Sequence, residues 1–326
     1  MTRTDLWANH FRLSDIPDQT GKTVVITGAN KGLGLQAATA LAAAGARIVL
    51  ACRDQIAGRK AFDQVRSVGP HADHALAPLD LSDLRAVRQC ADNVVSTAPR
   101  IDVLINNAGL MATPLSRTAD GFEMQIGTNH LGHFVFTDAA FPALLTAPEP
   151  RVVTLSSIAH RRGALVPADL NFYERRYGRL AAYGQSKLAN LLFGAELARR
   201  SEAAGLALKS VIAHPGVSAT NLFDSLLRPV PGAAALTRAG LRLVANSEEM
   251  GALSQLYAAT MPDVRNGDYL GPNQLFGVRG PVRRSPRSRS AQNVDLAKSL
   301  WDKSIELTGA QYSVLARHDI TGTGTP

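Results

Sequence analysis

Short apolar runs alternate with longer helical patterns along most of the chain, and this alternation restricts the fold more than any other feature. Thr23–Thr27 (TVVIT) reads as a strand and Leu33–Ala44 as the helix after it. The pairing repeats at Arg47–Ala51 with Gln55–Ser67, His74–Leu79 with Asp83–Ser96, and Ile101–Ile105 with Phe122–Leu145. Strands at Arg151–Ser156 and Ala207–Ala213 flank a helix at Ala182–Arg200. Runs that are apolar at successive positions belong to strands buried on both faces. Strand–helix alternation builds parallel βαβ units with right-handed crossovers. The expected fold is therefore α/β: a single-domain Rossmann fold, with a doubly wound parallel sheet of about seven strands and helices on both faces. Ser82 is the expected N-cap of the third helix.

After Gly216 the pattern loosens. Thr220–Val244 reads as one or two helices, Ser247–Thr260 as another, and Asp268–Leu270 as the last strand. Gly271–Ser290, rich in Gly, Pro, Arg and Ser, predicts a loop. Asp295–Leu307 predicts a final amphipathic helix with Leu300, Trp301 and Ile305 on its apolar side and Gly309 near its C-cap. No repeat or long linker divides the chain. Residues 1–326 read as one domain, with 1–20 as an N-terminal extension and 217–326 as a substrate lobe and tail.

The turn after the first strand carries the first chemical signal. Thr27-Gly28-Ala29-Asn30-Lys31-Gly32-Leu33-Gly34 joins that strand to the first helix. Gly28 permits a sharp turn, Gly32 a close backbone approach to a pyrophosphate, and Gly34 tight packing of helix on strand. A helix N-terminus offers unpaired N–H groups and a positive dipole end to phosphates. The expected dinucleotide contacts in this turn are Gly28, Asn30, Lys31, Gly32, Leu33 and Gly34. By itself, such a sequence also fits an ordinary glycine-rich turn.

The second strand runs into Cys52-Arg53-Asp54. An NAD-specific site needs a carboxylate here for the ribose 2′-hydroxyl. Cys52 and Arg53 stand there instead, and a guanidinium pairs well with a 2′-phosphate. Lys31 adds a second cation, and Asp54 is expected to point away. These residues predict NADP(H) over NAD(H).

Tyr183 and Lys187 are four apart at the start of a helix and share one of its faces. A free phenol has a pKa of about 10. A neighbouring ammonium should lower it and make the phenol a proton donor suited to neutral pH. Ser157 ends the fifth strand at the sheet's carboxyl edge, where ligands bind in open α/β sheets.

The Thr-Gly-x-x-x-Gly-x-Gly turn, Asn106-Asn107-Ala108-Gly109 after the fourth strand, Ser156-Ser157, and Tyr183-x-x-x-Lys187 together resemble the short-chain dehydrogenase/reductase family. The resemblance runs from about Gly21 to Gly216. It implies a catalytic set of Asn129, Ser157, Tyr183 and Lys187. Ser157 would donate a hydrogen bond to the substrate oxygen, with Ser156 as the lesser candidate, and Asn129 would hold a water linking Lys187 to a proton relay. It further implies cofactor contacts from Asp80, Leu81, Asn107, Ala108, Gly109, Tyr183, Lys187, Pro215, Gly216, Val217 and Thr220. Read without the family, Asp80 is a capping or surface acid, Asn-Asn-Ala-Gly a turn, and Asn129 a buried asparagine bonding backbone at a helix kink.

Tyr183 lies 26 positions after Ser157, and the intervening insert holds Phe172, Tyr173 and Tyr177. With Ser156–His160 and the tail around Trp301, it resembles the retinol-dehydrogenase and WW-domain-oxidoreductase-like branch. That branch implies a bulky apolar carbonyl or alcohol. Leu222, Phe223 and Leu226 fit an apolar lid and equally a helix packed on the core. Expected function is hydride transfer between NADP(H) and a carbonyl or secondary alcohol. The alternatives are a C=C reductase or a protein that binds NADP(H) without turnover. The resemblance also implies a homodimer or homotetramer.

Composition limits other functions. Five arginines between Arg279 and Arg289 supply more than half of the formal +8 charge, so the excess reads as a solvated loop and not as a nucleic-acid surface. Two cysteines, Cys52 and Cys90, build neither a disulfide framework nor a metal site. The histidine pairs His71/His74 and His130/His133 lack acidic co-ligands, so no metal is expected. Thr2–Thr20 lacks a signal-peptide core, and no run approaches a membrane span; a cytoplasmic protein without membrane anchor is expected.

Overall fold

The computed structural model describes residues 11–216 and 247–319. Eight strands form one sheet in the order β3-β2-β1-β4-β5-β6-β7-β8. They are β1 (Thr23–Thr27), β2 (Arg47–Cys52), β3 (Ala75–Pro78), β4 (Val103–Asn106), β5 (Arg151–Leu155), β6 (Lys209–Ala213), β7 (Tyr269–Gln274) and β8 (Arg279–Arg284). The first seven are parallel, and β8 returns antiparallel to β7. The order reverses direction between β1 and β4, the switch point at which doubly wound sheets bind ligands.

The helices are α1 (Gly32–Ala43), α2 (Gln55–Val68), α3 (Leu84–Thr97), α4 (Met124–Ile126), α5 (Gly132–Leu144), α6 (Arg179–Ala203), α7 (Glu248–Thr260), α8 (Val294–Thr308) and α9 (Ser313–Asp319). Alternate residues of each strand face opposite layers. Val24 and Ile26 pack with Leu41 of α1 and Leu256 of α7, whereas Val25 faces the layer holding Val87 of α3 and Phe134 of α5. Both faces are covered, which is why the strands read as unbroken apolar runs. On the second layer Trp301 of α8 lies against Phe134, Phe193 and Tyr312. Leu300 is buried there too, and Gly309 caps α8 in the left-handed region at φ 67°.

Three expectations need correction. The sheet has eight strands instead of about seven, because part of the segment expected to be a loop, Gly271–Ser290, forms the end of β7 and all of β8. Gly and Pro are poor strand formers, so the local signal is weak; pairing with the exposed edge of β7 supplies the order. Leu270 pairs with Arg284, Pro272 with Val282, and Val282 is buried. The arginine run is thus not wholly solvated: Arg284 Nε meets Asp268 Oδ1 at 2.8 Å, and Arg287 donates to the Gly267 carbonyl. Finally, α3 is capped by Asp83, whose carboxylate accepts from the N–H groups of Arg85 and Ala86. Ser82 instead donates its hydroxyl to Asp80.

The helical region expected over Phe122–Leu145 is broken by a π-helical turn at Gly127–Leu131. Such turns insert a residue and free a carbonyl, often at functional sites. Thr220–Val244 and the lid residues Leu222, Phe223 and Leu226 lie outside the described residues, as do the expected contacts Val217 and Thr220. Among the described residues, no helix is long and apolar enough to cross a membrane.

Candidate active site

The carboxyl ends of β1, β2, β4 and β5 adjoin at one rim of the sheet. At β1 the chain turns through Gly28 (φ 66°) and Gly32 (φ 56°), conformations that side-chain-bearing residues adopt at a cost. A Cβ on Gly34 would fall 2.4 Å from the Gly28 carbonyl oxygen and 2.5 Å from Asn107 Nδ2, so α1 can approach the turn only with glycine there. Helices α2 and α3 receive side-chain caps from Asp54 and Asp83, but Lys31 at the N-cap of α1 supplies none. The first-turn amides of α1 are left to an anion, as a pyrophosphate site requires.

Thr27 pairs with Ala51, so the glycine turn and Cys52-Arg53 leave the sheet side by side. Lys31 and Arg53 are exposed, and Cys52 is buried. Asp54 Oδ1 accepts from Ala57 N at 3.0 Å and caps α2. Beyond β3, Asp80 accepts from Ser82 N at 2.9 Å in a tight turn, and Leu81 packs its carbonyl against Gly132 of α5.

The Asn-Asn-Ala-Gly segment ties neighbouring strand ends together. Asn107 Nδ2 donates to the Thr27 carbonyl at 2.8 Å, and the Asn107 and Ala108 N–H groups each lie 3.0 Å from Thr27 Oγ1. Asn106 bonds Thr137 of α5. Gly109 is the meeting point with the helices: a Cβ there would lie 3.3 Å from Asn129 Oδ1 and 3.4 Å from Lys187 Nζ. Asn129 and Lys187, 58 positions apart in sequence, therefore border one glycine.

Asn129 sits in the π-helical turn. Its Oδ1 accepts from Leu110 N at 2.7 Å, and its Nδ2 donates to the Leu110 carbonyl and to Ser186 Oγ. Lys187 Nζ donates to the Leu155 carbonyl at 3.2 Å. Ser156 Oγ is committed to the Lys187 carbonyl at 2.7 Å, which leaves Ser157 as the less buried hydroxyl of the pair. The Ser157 hydroxyl acts on the Tyr183 phenol, favouring its ionised form, and accepts from Ala159 N at 3.2 Å. Its own carbonyl is held by His160 Nδ1 at 2.7 Å. At the end of β6, Gly216 (φ 73°) follows Pro215, and its N–H bonds His214 Nδ1.

The expected acidification of the phenol is not what the site produces. Burial pushes Tyr183 up to about 12, with the Ser157 hydroxyl pulling the other way. The Lys187 ammonium lies 5.8 Å from the ring centroid, above the ring. Burial pushes Lys187 itself down to about 8. Burial is the larger cause, and a charge at that distance does not reverse it. Tyr183 is a protonated donor at neutral pH, and Lys187 is a cation whose charge is easily lost.

Sequence reasoning missed His133. The sequence pairs it with His130 only as a metal-ligand candidate, yet its ring lies between Thr27 and Asn129. The available signal was its i,i+4 spacing from Asn129, which puts both on one helical face. Among the described residues, no group of three His, Cys, Asp or Glu side chains could hold a metal ion.

Comparison with known proteins agrees with the geometry. A family model described as short chain dehydrogenase matches residues 22–229. Retinol dehydrogenase 12 of Mus musculus is 38% identical over 297 residues, 90% of this chain and 88% of that protein. Retinol dehydrogenase 13 of Homo sapiens is 36% identical over 304 residues, covering 89% and 86%. A crystal structure of an uncharacterized protein from Mycobacterium paratuberculosis superimposes with a TM-score of 0.78 at 41% identity, covering 93% of this chain and 99% of that one. The chain belongs to the short-chain dehydrogenase/reductase family of oxidoreductases, in its retinol-dehydrogenase-like branch.

Proposed function

We propose that this protein is an NADP(H)-dependent oxidoreductase that interconverts a carbonyl and a secondary alcohol on a bulky apolar substrate. One observation carries the reading: the Ser157 hydroxyl, the Tyr183 phenol, Lys187 and Asn129 gather beside a glycine turn whose flanking side chains are the cations Lys31 and Arg53. When bound, NADP(H) supplies or accepts the hydride. Gly28, Asn30, Lys31, Gly32, Leu33 and Gly34 would cradle its pyrophosphate, and Lys31 and Arg53 would pair with its 2′-phosphate. Asp80 and Leu81 would border the adenine, and Asn107, Ala108, Gly109, Pro215 and Gly216 the nicotinamide side.

Ser157 Oγ donates to the substrate oxygen and orients it. Tyr183 Oη gives that oxygen its proton during reduction and takes it back during oxidation. The Lys187 ammonium stabilises the phenolate that this transfer leaves. Asn129 fixes the loop at Leu110 and the helix at Ser186, so the four groups keep one geometry. Met111, Ala112 and Ala159 pack beside Tyr183 and give the pocket an apolar wall suited to a hydrocarbon substrate. A cytoplasmic location and a homodimer or homotetramer complete the proposal, resting on composition and on family likeness.

The test is NADPH consumption against panels of ketones, aldehydes and enones. Turnover of apolar ketones or aldehydes with NADPH supports the reading. Turnover confined to enones transfers the assignment to C=C reduction. NADPH binding with no turnover on any panel, using protein of verified fold, overturns it.

A further inference from the structure

Thr27 and His133 are 106 positions apart, yet Thr27 Oγ1 lies 2.8 Å from His133 Nε2 deep in the interior. The other ring nitrogen, Nδ1, lies 3.0 Å from the Asn129 carbonyl oxygen. A carbonyl can only accept, so Nδ1 carries the proton. The ring is neutral, because burial pushes it down to about 4; the Lys187 charge acts in the same direction, against the Asn129 bond. Nε2 must then accept, and Thr27 must donate to it.

The threonine independently gives the same answer. Its oxygen has two lone pairs, and the N–H groups of Asn107 and Ala108 both point at them from 3.0 Å. Its single proton has two partners within reach, His133 Nε2 at 2.8 Å and the Ile105 carbonyl at 3.5 Å, and the shorter contact takes it. The direction continues past the ring. Asn129 Nδ2 donates to Ser186 Oγ at 2.8 Å, and Ser186 Oγ donates to the Tyr183 carbonyl at 2.9 Å. Contacts through His133 and then through the main chain and side chain of Asn129 thus link the strand ends that flank the glycine turn to the helix bearing the phenol.

We propose that His133 is a positioning residue that couples the dinucleotide-binding turn to the catalytic helix, its Nε2 fixing Thr27 and its Nδ1–H fixing the carbonyl of Asn129. The proposal rests on the oxidoreductase reading above, and its two arms have different consequences. The Thr27 arm holds the chain immediately before Gly28 and so acts on cofactor affinity. The Asn129 arm holds the turn that borders Gly109 and Lys187 and so acts on turnover.

The two arms can be cut separately. Asparagine reproduces the Nδ1 donor of histidine but does not reach Thr27, whereas glutamine reaches as far as Nε2 but loses the near donor. His133→Asn is expected to weaken NADPH binding, measured by fluorescence titration, by a larger factor than it lowers kcat. His133→Gln is expected to keep NADPH affinity and lower kcat on the order of 10- to 100-fold, the scale of a small misplacement of catalytic groups. Histidine-selective ¹⁵N spectra of the full chain should report His133 as a neutral Nδ1–H tautomer. Circular dichroism checks that each variant folds. Two variants that change affinity and kcat alike, or not at all, overturn the proposal, as does an Nε2–H tautomer. A wild-type protein without turnover sinks the functional reading instead, and leaves the affinity and tautomer measurements to judge His133.

Discussion

Ser156 Oγ donates a 2.7 Å hydrogen bond to the main-chain carbonyl of Lys187, tying the end of β5 to the helix that carries the phenol. The bond is buried, and it separates two adjacent serines by role. Ser156→Ala is expected to lower stability by about 1 kcal/mol, the usual net worth of such a bond, with a modest effect on turnover. Ser157→Ala removes the cap of the turn at Ile158–Arg162, a loss of about 1 kcal/mol, and is expected in addition to lower kcat at least tenfold. Thermal melts and steady-state kinetics on both variants check the division; equal kinetic losses from the two would refute it.

Tyr183 is the proposed proton donor. Tyr183→Phe keeps the ring packing against Met111 and Ala112 and removes only the hydroxyl. Turnover should fall by about 10²–10⁴-fold, the range for loss of general acid catalysis, with NADPH affinity unchanged. A variant that retains wild-type kcat would remove the tyrosine from the mechanism.

Arg53 is exposed just after β2, and the adjacent Asp54 caps α2. Arg53→Glu replaces a partner of the 2′-phosphate with a group that repels it. Affinity for NADPH should drop by roughly 10- to 100-fold, the equivalent of about 1.5–3 kcal/mol for a charge-assisted bond, with NADH affected far less. Equal changes for both dinucleotides would contradict a 2′-phosphate site.

The lysine sets a pH limit. Burial holds Lys187 at about 8, below its ordinary value of 10.5. Its ammonium is present below about pH 8 and lost above it, so carbonyl reduction should decline as pH rises through that value. Stability moves the other way: the unfolded chain binds the proton between about 8 and 10.5 and the folded chain does not, so this group favours folding increasingly across that window. A pH–kcat profile for reduction, recorded beside urea melts at the same pH values, tests both signs.

Gly34→Ala places a Cβ 2.4 Å from the Gly28 carbonyl oxygen, a contact that forces α1 off the turn. Both melting temperature and NADPH affinity should fall. Gly205→Ala serves as the control, since a Cβ there meets no atom within 4 Å and only its φ of 66° is strained. It should cost stability alone.

Much of this molecule is written locally. Val24–Ile26 and Ile48–Ala51 are apolar at successive positions because both faces of the sheet are covered, and the glycines of the first turn are dictated by backbone angles and close approach. Tyr183 and Lys187 share a helical face by spacing alone. Only the tertiary structure decided the rest. β8 exists because the edge of β7 gives Arg279–Arg284 a partner that its own residues do not advertise. The phenol is raised and not lowered because desolvation depends on how tightly other segments close over it. Ser156 and Ser157 differ because one of them meets a helix carbonyl. His133 meets Thr27 because the order of strands brings together residues 106 positions apart, and no local pattern encodes that distance.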